Sequence, residues 1–193
     1  MRKMLFSVLF CVGISMSAQT KTQQQFFAQI FKYRADKIVY SEHVVNDLKE
    51  FKKMLTKRKT SRRPDYGKWR GNASAPETIT LSAAEIDFVI SELAQANKNK
   101  NWSKGLIKNS RLVSEQEMDS IFLDKDKGYE YFKKNYGPVL DHVSKPVFLK
   151  NNTVGIFYKG TSGKPLSGGG GFSIYVKDDG IWKEYAMLTM SVS

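Results

Sequence analysis

Two histidines, an aspartate beside one of them, scattered serines and four consecutive glycines are the residues of this chain whose types could do chemistry. His43 and His142 are its two imidazoles. A zinc site would have to join them to Asp47 or Asp141, yet neither a His-Glu-x-x-His nor a short His-x-His spacing occurs. A serine triad can be drawn from Ser162 or Ser167 with His142 and Asp141. No Gly-x-Ser-x-Gly elbow accompanies it, and Asp141 adjoins His142 in sequence, which makes support of the imidazole by that carboxylate awkward. The histidines therefore read as structural, one in a strand or helix and the other in a turn at Asp141-His142. No catalytic residue, metal or cofactor is assigned.

The glycines stand in SGKPLSGGGGFSIYV, Ser162–Val176. A nucleotide-phosphate loop requires Gly-Lys-Ser/Thr at the start of a helix, so that backbone N–H groups converge on the phosphates. Here Pro165 follows Gly163-Lys164 and an alternating strand pattern comes next. The spacing after Gly168 gives no dinucleotide fingerprint either, since Ser173 stands in the last glycine position. The stretch Thr161–Gly170 reads as a wide, flexible link between two strands, in which glycine permits positive φ.

Carboxylates offer a second chemistry. Glycoside hydrolysis needs two of them roughly 5 to 10 Å apart across a groove. Glu85, Asp87, Glu92, Glu115 and Glu117 are the candidates, and each falls where a helix cap or a solvated helical face accounts for it. A third chemistry is anion binding. Lys57–Arg70 carries seven cations, Lys57, Arg58, Lys59, Arg62, Arg63, Lys68 and Arg70, against the single acid Asp65. Tyr66 and Trp69 are interleaved with them and could stack on a base or a sugar. Those nine residues form the candidate anion site.

The N-terminus assigns a compartment. Arg2 and Lys3 precede an apolar run from Met4 to Met16, and small residues Ser17 and Ala18 follow. This is the layout of a secretory signal peptide, with cleavage expected after Ala18. The one cysteine, Cys11, lies inside it, so the mature chain has no disulfide, thiol nucleophile or thiolate-bound metal. No later run approaches the roughly 20 apolar residues of a membrane helix, and the mature chain is expected to be soluble. Cleavage removes two of 31 basic residues and none of 19 acidic ones, leaving 29 against 19 and a net charge of +10. The balance favours an anionic partner or an envelope component. Export argues against nucleic acid.

The elements that must position these residues follow from periodicity. Phe26, Phe27, Ile30 and Phe31 make one helical face, Lys37–Val45 is β-branched enough for a strand, and Leu48, Phe51, Met54 and Leu55 return to helical spacing. An irregular basic connection spans residues 57–78. Thr78–Leu81 is a short strand. Ser82 and Glu85 then form a capping box before a helix facing inward through Ile86, Val89, Ile90 and Leu93. SRLVS reads as a strand, Ser114 and Glu117 repeat the box spacing, and Gly128–Pro138 is a short helix stopped by Gly137 and Pro138. SKPVFL, TVGIFYKG, GFSIYVK and IWKEYAMLTMSV are strand-like runs with turn residues between them. The expected fold is a single α+β domain over residues 19–193. Helices of the first two thirds cover one face of a C-terminal antiparallel meander of about four strands.

This order resembles that of small secreted proteins of the Bacteroidota that have no assigned function. The likeness rests on Ser144, Lys145, Pro146, Val147 and Phe148, on Gly155, Ile156, Phe157 and Tyr158, and on Gly180, Trp182 and Lys183. It covers about the second half of the chain. It implies an exported α+β protein and supplies no activity; where such proteins often hold cysteines in the glycine-rich loop, this one has serines and glycines. The functional expectation is an exported, non-enzymatic binding or structural component of the cell envelope. The alternatives are a glycan-active hydrolase and an anion- or nucleic-acid-binding module using residues 57–70.

Overall fold

The computed structural model describes residues 20–34, 36–63, 75–163 and 168–192; the expected signal peptide lies outside them. In chain order the elements are α1 (20–30), β1 (Ile38–Glu42), α2 (Leu48–Lys57), β2 (Thr60–Arg62), β3 (Thr78–Thr80), α3 (Ala83–Lys98), β4 (Ser110–Leu112), α4 (Glu115–Ile121), α5 (Lys125–Asn135), β5 (Leu140–Val143), β6 (Val147–Leu149), β7 (Val154–Ser162), β8 (Gly168–Asp178), β9 (Ile181–Met187) and β10 (Ser191–Val192). The class is α+β.

Among the described residues, the expected meander of four strands is in fact a mixed sheet of eight. Its middle is the β7–β8 ladder, with nine paired positions from Val154↔Val176 to Ser162↔Gly168. Each long strand has two shorter neighbours on its other edge. β7 carries β6 beside its start and β5 beside its end, and β8 carries β9 and β10. Beyond β5 lie β1 and then β4, both paired in parallel. Periodicity exposes strands joined by short turns, whereas β1 and β4 enter through pairings that span whole helices. The ends of the basic connection are ordered too: β2 and β3 pair antiparallel, Thr60↔Thr80 through Arg62↔Thr78.

Helices cover both faces of the sheet, not one. Alternation along β7 sends Phe157 to one side and Ile156 and Tyr158 to the other. On the first side α1 packs Phe26, Phe27 and Phe31 against Phe148, Phe157, Tyr175 and Trp182. Phe26 is fully buried and meets those four rings edge-on or nearly so, at centroid distances of 5.0 to 5.5 Å. On the second side two separate clusters form. Phe51 and Leu55 of α2 and Ile86, Val89 and Leu93 of α3 cover Ile156, Phe172 and Ile174. Phe132 of α5 covers Val39 and Leu140, with Met118 and Ile121 of α4 against its edge.

Caps follow the sequence closely. Ser82 and Glu85 make the full reciprocal box at the start of α3. At α4 only half forms: Ser114 Oγ accepts from the Glu117 amide, while the Glu117 carboxylate turns to Arg111 and the Tyr136 hydroxyl. Helix α5 starts three residues earlier than expected because Asp124 caps it, and Gly137 leaves it at φ +128.

The glycine run corrects the expectation of a loose link at both its ends; residues 164–167 lie outside the described residues. Thr161 and Ser162 finish β7, Gly168–Gly171 begin β8, and the two face each other in register. Crowding explains the composition. A Cβ on Gly171 would stand 1.9 Å from the Thr189 carbonyl oxygen, and one on Gly170 would stand 2.5 Å from the Gly160 Cα. Only a strand without side chains lets the chain after β9 close over it. Gly171→Ala should therefore cost about 1–3 kcal/mol in urea unfolding; a loss below a few tenths would show that this closure is not tight.

Candidate functional site

Four neighbouring strands line up a row on the second sheet face, between the α2–α3 cover and the α4–α5 cover. The register places Ser41 of β1 beside His142 of β5, His142 beside Gly160 of β7, and Gly160 beside Gly170 of β8. His142 thus lies in a strand, not in a turn. Its imidazole is held at both ends: Ser41 Oγ is 2.7 Å from Nδ1, and Ser162 Oγ is 2.8 Å from Nε2. Burial pushes its pKa down, partly opposed by the Asp141 carboxylate.

The contact between Ser162 and His142 is the one the serine-triad pattern requires, and the third member departs from it. Asp141 alternates to the opposite face, where it is fully buried and Arg34 Nη1 lies 3.1 Å from its carboxylate. Burial pushes the Asp141 pKa up, offset by Arg34. Ser41 occupies the orienting place at Nδ1. A hydroxyl fixes a tautomer but brings no charge to an imidazolium. Burial lowers the basicity of the His142 imidazole, and no carboxylate is hydrogen-bonded to its ring to support the imidazolium. Ser167 lies outside the described residues.

A layered stack flanks this row. Gly160 and Gly170 leave a hollow into which the Tyr158 phenol folds; a Cβ at either would come within 2.8 Å of its hydroxyl. The His43 ring lies flat on Tyr158, with centroids 3.7 Å apart and planes 10° from parallel. Neither His43 ring nitrogen nor the Tyr158 hydroxyl has a partner among the described residues. Burial lowers the His43 pKa to about 4, with a further push from His142. Both imidazoles are consequently neutral at pH 7. Sequence reasoning missed this pairing because His43 and His142 meet only through the parallel β1–β5 ladder.

A cavity of about 530 Å³ opens over Ser41, His43 and His142. Its walls come from the end of α3 and the start of α4, with Asn46, Asn101, Trp102 and Gln116 among them. Its charged members are engaged. Glu42 accepts from the Ser103 hydroxyl and from the amides of Asn101 and Ser103, and Lys100 pairs with Glu115 at 3.6 Å.

The other candidates are placed as follows. Each of the five candidate carboxylates has a cation: Glu85 with Lys150, Asp87 with Lys52, Glu92 with Lys145, Glu115 with Lys100 and Glu117 with Arg111. For Glu117 the Tyr136 and Arg111 hydrogen bonds hold the pKa low; for Glu85 desolvation opposes the shift, and the Ser82 and Lys150 contacts outweigh it. Neither is suited to deliver a proton near neutral pH. Of the basic segment, Lys57 closes α2, and Lys57 and Lys59 point to solvent. Arg58 donates to the Leu188 carbonyl at 2.5 Å, Arg63 to the Ala75 carbonyl, and Arg62 lies 3.8 Å from Glu77. Tyr66, Lys68, Trp69 and Arg70 lie outside the described residues. Among the described residues, no three of His, Cys, Asp and Glu come together as a metal cage, and no helix is long and apolar enough to cross a membrane.

The chain matches no protein-family model, no curated protein and no solved structure.

The His43 environment has a sign that can be measured. Its folded pKa of about 4 lies below the ordinary 6.5, so the unfolded chain takes up the proton first. The His43 contribution is complete above about pH 6.5, is lost as pH falls from there toward 4, and is constant below. His142 acts in the same direction. His43→Phe, which keeps a ring on Tyr158, should lose less stability than the parent chain between pH 7 and pH 4.5 in urea titrations; equal losses would contradict a buried neutral His43.

Proposed function

We propose that this chain is an exported, non-enzymatic binding component of the cell envelope, akin to the small secreted proteins of the Bacteroidota, and that its ligand lies in the cavity over Ser41, His43 and His142. The carrying observation is the hydrogen-bond chain Ser41–His142–Ser162, which is fixed at both ends yet separated from the carboxylate that would make it catalytic. Neutral donors and acceptors in a half-enclosed site suit recognition. The residues Arg2 to Ala18 support export, with the mature chain beginning at Gln19.

The hydrolase alternative is disfavoured by the ion pairing of every helical carboxylate considered. The anionic-ligand alternative is weakened because Arg58 and Arg63 donate to the backbone carbonyls of Leu188 and Ala75.

Two measurements test the reading. N-terminal sequencing of the protein recovered from the envelope fraction of a bacterial host should return a chain starting at Gln19. Incubated with an activated p-nitrophenyl ester or a fluorophosphonate, the mature chain should show no burst and no covalent adduct, and Ser162→Ala should leave the background rate unchanged. A stoichiometric burst abolished by Ser162→Ala would overturn the non-enzymatic reading.

A further inference from the structure

The uncommitted groups around the cavity share a property that narrows the ligand. The amides of Asn46, Asn101 and Gln116 and the His43 imidazole line it, and none of these side chains has a partner among the described residues. Each presents both a hydrogen-bond donor and an acceptor, and none carries charge. The acids and bases nearby are already engaged: Glu42 by Ser103 and two backbone amides, Lys100 by Glu115, and Asp141 by Arg34 across the sheet. A charged ligand would lose hydration on entering and would meet groups that already have partners, Glu42 with three neutral donors and the exposed Lys100 with Glu115. A purely apolar ligand would strip water from four amphoteric side chains without replacing those hydrogen bonds.

The ligand chemistry that answers every group at once is the hydroxyl, which both donates and accepts, carried on a scaffold that also offers an apolar face. Trp102 in the wall and the exposed side of the His43 ring, seated on Tyr158, supply flat surfaces for such a face. We propose that this cavity binds a neutral saccharide, with His43, Asn46, Asn101 and Gln116 reading its hydroxyls. The inference rests on the cavity being the binding site and adds the class of ligand. The volume of about 530 Å³ lies within the range of small-molecule sites, so a short saccharide segment fits and a whole polymer would have to leave through the open side.

The protein has two histidines and both stand at this cavity, so the imidazole region of its NMR spectrum reports on the site alone. The full mature chain should be titrated with triacetylchitotriose, with maltotriose, with a sulfated heparin tetrasaccharide and with tetra-alanine. At least one neutral trisaccharide should shift the His43 and His142 ring signals saturably, while the sulfated sugar and the peptide leave them in place. His43→Phe, which preserves the stack, and Gln116→Leu, on an exposed helical position, should each weaken that binding about fivefold per hydrogen bond removed. His142 then serves as the reporter in the His43 variant. Shifts produced by the sulfated sugar or the peptide, but by neither neutral sugar, would overturn the ligand class and leave the cavity as the site. If no ligand in the panel moved either histidine, both the ligand class and the cavity reading would fail. Saturable saccharide binding that leaves both imidazoles unmoved would place the sugar elsewhere and refute the proposal.

Discussion

The ladder between β7 and β8 is the constraint to which the remaining elements conform. Its first five positions, Val154↔Val176 to Tyr158↔Phe172, are covered on both sides, so each residue along them must suit one of two different cores. Phe157 and Tyr175 serve the aromatic core under α1, and Ile156 and Ile174 serve the aliphatic one under α2 and α3. A strand buried on both faces loses the plain in-and-out polarity pattern of an exposed sheet. The aromatic side is held mainly by ring edges meeting ring faces around Phe26, a geometry that fixes α1 against four elements at once.

Toward its far end the same ladder changes character, and the candidate site is the result. Where Gly160 meets Gly170 there are no side chains to support a helix above the sheet. The two helical covers on that face accordingly stand apart, one over Phe172 and Ile174 and the other over Val39 and Leu140. The gap is filled from within by Tyr158 and His43 in layers, and it is bordered by the Ser41–His142–Ser162 chain. Tight backbone contact and an open polar strip are thus two effects of one run of glycines.

Alternation of side chains decides what that strip can do. Asp141 and His142 are neighbours in sequence and lie on opposite faces of β5, so the charge that would support an imidazolium serves Arg34 instead. Both imidazoles are desolvated with no carboxylate hydrogen-bonded to either ring, the Asp141 charge opposing the shift of His142 only in part, and their neutral forms prevail.

The sequence by itself determined the local events. The aromatic helix face at Phe26, Phe27 and Phe31, the capping box at Ser82 and Glu85, the strand character of the last third and the α+β class all follow from spacing and from residue chemistry within a few positions. Three features were decided only by tertiary structure. The parallel placement of β1 beside β4 and β5 depends on contacts across more than sixty residues, which no local pattern records. The glycine run reads as a flexible link because glycine is permissive, and it is a strand because Thr189 and Gly160 approach too closely for any other residue. The meeting of His43, His142, Ser41 and Ser162 needs three strands in one register, and a register is a property of the assembled sheet.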